Sequence, residues 1–108
     1  MSNSRKDEIR LIMKTVSINI DRMTDEDILG QIYSIAQSKH YKSHLTFEED
    51  CVDCAIILTS LPNVMDFKLM QMSIDEYDKW AISIIEKCRY NYYIMNKTKK
   101  FRDLQCSN

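Results

Sequence analysis

Two histidines and two cysteines lie close together as His40-x3-His44-x6-Cys51-x2-Cys54. On helices, imidazoles four apart share a face, as do thiols three apart, and zinc takes two of each in tetrahedral geometry. A competing pattern runs through the same segment. Phe47, Cys51, Cys54, Leu58 and Leu61 form an unbroken seam at helical spacing, which puts both thiols on a face that should be buried, where free cysteine behaves as a small hydrophobe. His40 and His44 then flank a polar, basic helix end. Core cysteines with surface histidines is the favoured reading, so no metal is assigned, and His40, His44, Cys51 and Cys54 stay as the zinc alternative.

Cys51-Val52-Asp53-Cys54 also has the spacing of a redox pair. Reactive thiols of that kind sit at a helix N-terminus in electropositive surroundings. Here a cap at Thr46 places Cys51 more than a turn inside, among Glu48, Glu49, Asp50 and Asp53, and carboxylates disfavour a thiolate. With Gly30 as the single glycine, a Gly-rich phosphate loop is impossible. No Ser–His–acid or Cys–His arrangement stands out, and the acids cluster at helix starts, where capping explains them. The chain is expected to be no enzyme and to carry no cofactor.

The elements that position these residues are helical. Three times a hydroxyl residue stands three places before an acid at the head of an apolar-periodic run: Thr24 with Asp27, Thr46 with Glu49, Ser73 with Glu76. Each is a capping box, in which cap oxygen and acid satisfy each other's orphan backbone N–H groups. With one Gly and one Pro in 108 residues, the chain is predicted to be all-α. The spacing predicts a first helix from about Ser4 to Met23, with Ile9, Ile12, Val16, Ile20 and Met23 inward. Its β-branched middle (Thr15, Val16, Ile18, Ile20) is the weakest stretch and the place for a break. A second helix from Thr24 carries Ile28, Leu29, Ile32, Ile35 and Ala36, fraying near 39–43. The third runs from Thr46 to Leu61, where Pro62 disfavours continuation. Residues 63–72 are a Met-rich connector with room for one short helix; core filler or lid is the favoured role, and an adaptable second contact surface is the alternative.

The last helix is predicted from Ser73 to about Asn96, longer if 98–102 joins it. On a wheel, Tyr77, Trp80, Ala81, Ile84, Ile85, Cys88, Tyr92 and Met95, with Ile82 at one edge, cover more than half the circumference. A surface helix shows a narrower stripe, so this helix is expected to be the central one. The fold expectation is a compact bundle of four main helices and one short connecting helix. It forms a single domain over 1–108, with frayed N-terminal residues and a flexible C-terminal tail.

Charge is unevenly spread along that bundle. Residues 1–84 hold nine Lys/Arg against fourteen Asp/Glu, net −5, and residues 85–108 hold six against two, net +4. The basic end interleaves aromatics, and Lys79, Ser83, Glu86, Tyr90, Tyr93 and Lys97 fall on the side away from the core. Tyrosine offers stiff contact area with a polar tip, and lysine adds charge complementarity. Tyr90, Tyr93, Lys97 and Lys100 are therefore the candidate partner-binding residues. Basic residues are also simply favoured at a helix C-terminus, which is the plain alternative.

Composition sets the remaining bounds. The chain is 44% hydrophobic and 29% charged with formal net charge −1, ordinary for a globular domain, with no overall field to draw nucleic acid or anionic membrane. A helix-turn-helix reading of the second and third helices fails because Glu48, Glu49, Asp50 and Asp53 would meet phosphate. No run suits a membrane span, and the charged start Ser4-Arg5-Lys6-Asp7-Glu8 is no signal peptide. Four cysteines without such a signal read as reduced thiols. A cytoplasmic protein is expected. Plentiful Ile, Lys, Met, Asn and Tyr with scarce Gly, Pro, Ala and Arg is the residue usage of AT-rich coding sequence, as in many viruses and phages. The expected function is a non-enzymatic protein-interaction module: a regulator, adaptor or inhibitor that occupies a partner's surface. A nucleic-acid-binding regulator using the same basic helix, a zinc-stabilised module and self-association are the alternatives.

Overall fold

The computed structural model describes the backbone of residues 4–40 and 43–106 and the side chains of residues 6–38, 40 and 43–90. Among the described residues five α-helices make up the bundle: α1 (Ser4–Ser17), α2 (Asp25–His40), α3 (Phe47–Ser60), α4 (Pro62–Leu69) and α5 (Ile74–Cys106). There is no strand among the described residues. The expected frayed start at 1–3 lies outside the described residues, and the helix continues through much of the expected tail, to Cys106.

All three capping boxes form. The N–H of Asp27 donates to Thr24 Oγ1 at 3.2 Å while the N–H of Thr24 donates to Asp27 Oδ2 at 3.2 Å. At α3, Glu49 N–H reaches Thr46 Oγ1 at 3.2 Å and Thr46 N–H reaches Glu49 Oε2 at 3.1 Å. At α5, Glu76 N–H donates to Ser73 Oγ at 3.2 Å, and Glu76 Oε1 accepts from the Ser73 N–H at 3.5 Å and from the Ser73 hydroxyl at 3.1 Å. Local sequence alone dictates these three starts, because donor and acceptor are three residues apart.

The first predicted helix breaks where its β-branched residues accumulate. Helix α1 stops at Ser17, whose hydroxyl donates to the carbonyl of Lys14 at 2.8 Å, and the chain makes one 3₁₀ turn, Ile20–Arg22, before the Thr24 cap. That turn keeps Ile20 inside while Ile18 is left exposed. Pro62 plays two parts: it ends α3 and then opens α4 at the first helical position, where its missing N–H costs nothing. Helix α4 occupies most of the Met-rich connector. Val64 is buried and Phe67 packs on the core, whereas Met65, Leu69 and Met70 face water.

The core gathers Ile9, Met13 and Ile20 from the first segment, Ile28, Leu29, Ile32, Ile35 and Ala36 from α2, and Val64 from α4. The α3 seam enters as expected, with Cys51, Cys54, Leu58 and Leu61 buried and Phe47 packed against it. Helix α3 is the most enclosed element: eight of its 14 residues are buried, Asp50 and Thr59 included, and it packs on α1, α2, α4 and α5. Over the described side chains, which do not include the expected Tyr92 and Met95, the apolar half-cylinder of the last helix is narrower than expected, and α3 shares the centre of the bundle with it. Tyr77, Ile84 and Cys88 are buried, Trp80 and Ile85 are half-buried, and Ile82 is 54% exposed. Among the described residues no helix is long and apolar enough to cross a membrane.

Candidate functional site

The structure sends the two halves of the His/Cys constellation to different places. Cys51 and Cys54 are fully buried and join Cys88 of α5 in the core, all three as thiols outside any disulfide. His40, at the end of α2, directs Nδ1 to Oδ2 of Asp50 at 2.6 Å and sets its ring edge-on to Phe47 at 5.5 Å. His44 is exposed. No three His, Cys, Asp or Glu side chains among the described residues come together as a metal set would.

Burial governs the thiols. Removal from water pushes Cys51 up from 9.0 to about 12, and neighbouring Cys88, Cys54, Asp50 and Glu48 push the same way. Cys88 is likewise pushed up to about 12 by burial. Thiols so held are protonated and poorly nucleophilic, the state of structural rather than reactive cysteines.

Asp50 is the residue that sequence reasoning missed. Sequence alone groups it with the acids of a capped first turn, yet it is 0% exposed. A signal was present: position 50 lies one turn before Cys54, on the seam side of α3, so a carboxylate there must find a polar partner inside. That partner, His40, stands ten residues back across a turn.

Helix α5 is held to the bundle along one side. The Tyr77 hydroxyl donates to the carbonyl of Thr59, and Tyr33 Oη to the carbonyl of Lys87 at 3.5 Å. Trp80 Nε1–H donates to Asp25 Oδ1 at 3.1 Å, Lys87 Nζ sits 3.5 Å from the other oxygen of Asp25, and Lys68 Nζ lies 4.6 Å over the Trp80 ring. Lys87, counted in the basic end, is thus committed to the N-terminus of α2. A carboxylate there also complements the helix dipole.

Over its described residues the opposite side of α5 is exposed. Asp75, Asp78, Lys79, Ile82, Glu86, Arg89 and Tyr90 are all exposed, Tyr90 at 66%. Cys88 is the last buried side chain described, and the helix continues from there to Cys106. Tyr90 therefore stands where sequence placed it, on the outward face; Tyr93, Lys97 and Lys100 lie on the same helix, with side chains outside the described residues.

No protein-family model, curated protein or solved structure matches this chain.

Proposed function

We propose that this five-helix bundle is a cytoplasmic, non-enzymatic protein-interaction module, a regulator, adaptor or inhibitor, that binds its partner through the outer face of α5, with Tyr90, Tyr93, Lys97 and Lys100 as the contacts. The observation that carries the reading is the exposure of Tyr90 on a helix whose other side is pinned to α2, α3 and α4. A large aromatic ring contributes nothing to the core when left in water, whereas at an interface it is among the strongest anchors. The net +4 of residues 85–108 favours a partner face of acidic character and would speed encounter with it.

Affinity capture from the native cell tests this, using the tagged chain and its Tyr90→Ala/Tyr93→Ala variant side by side. A protein retained by the first and lost with the second supports the proposal; identical captures oppose it. Retention of the chain on heparin that collapses steeply with salt, without any protein captured, would move the same helix to a nucleic-acid role.

A further inference from the structure

We draw no further inference here: the strongest candidate, the surface patch of exposed apolar side chains about the α4–α5 turn, Met65, Leu69, Met70 and Ile74, carries nothing because nothing in the structure shows what covers it.

Discussion

His40 Nδ1 lies 2.6 Å from Oδ2 of Asp50, and the carboxylate it meets is wholly shielded from water. The end of α2 and the start of α3 are joined through this contact across the intervening turn. His40 itself keeps 40% of its side chain exposed, so the polar group at risk is Asp50. His40→Ala should lower stability by about 1–3 kcal/mol, the cost of taking a partner from a buried polar group. Urea denaturation measures it, and a loss smaller than about 0.5 kcal/mol, the range of ordinary surface changes, would show that the pair does not hold the two helices.

The buried thiols set the behaviour in alkali. An acid whose pKa rises on folding keeps its proton in the native state while the unfolded chain has already released it. Stability from Cys51 and Cys88 is therefore complete below pH 9.0, their ordinary value, and is lost as pH climbs toward about 12. Tyr77, raised from 10.0 by burial with Asp78 adding, works in the same direction. Each thiol steepens the fall by up to about 1.4 kcal/mol per pH unit. Unfolding free energies between pH 8 and 10 should drop faster for the native chain than for Cys51→Ala/Cys88→Ala, and parallel curves would contradict the assignment.

The three capping boxes act locally and far apart, so their removal should be close to additive. Thr24→Ala, Thr46→Ala and Ser73→Ala are each expected to cost about 1 kcal/mol. Guanidinium unfolding of the single and triple variants reads this. A triple variant no weaker than one single variant would mean that the boxes are incidental to stability.

What the sequence made legible follows the range of each interaction. The boxes at Thr24, Thr46 and Ser73 close within one turn, the break after Ser17 follows from β-branched crowding, and Pro62 acts on its own neighbours; all were readable in place. The seam Phe47–Cys51–Cys54–Leu58–Leu61 was readable because spacing alone defines a face. Asp50 was not, since its partner comes from another helix and an acid in a first turn already has an ordinary explanation. Over its described residues the buried side of α5 is narrower than its apolar arc for a related reason. Ile82 sits at the edge of the apolar arc, and only the placement of α2, α3 and α4 decides which side of that edge meets water. For Lys87, sequence showed a basic cluster; the structure shows Asp25 and Trp80 sharing one polar junction with it.

The contact surface on α5 can be interrogated at one atom's reach. A photoreactive benzophenone side chain in place of Tyr90, irradiated in the native cell, should give a covalent adduct to another polypeptide, whether a foreign protein or a second copy. The same group in place of Asn63, exposed on α4, should give little or none. No adduct from position 90, or equal yield from the two positions, would contradict the claim that this face of the helix is where the protein meets its partner.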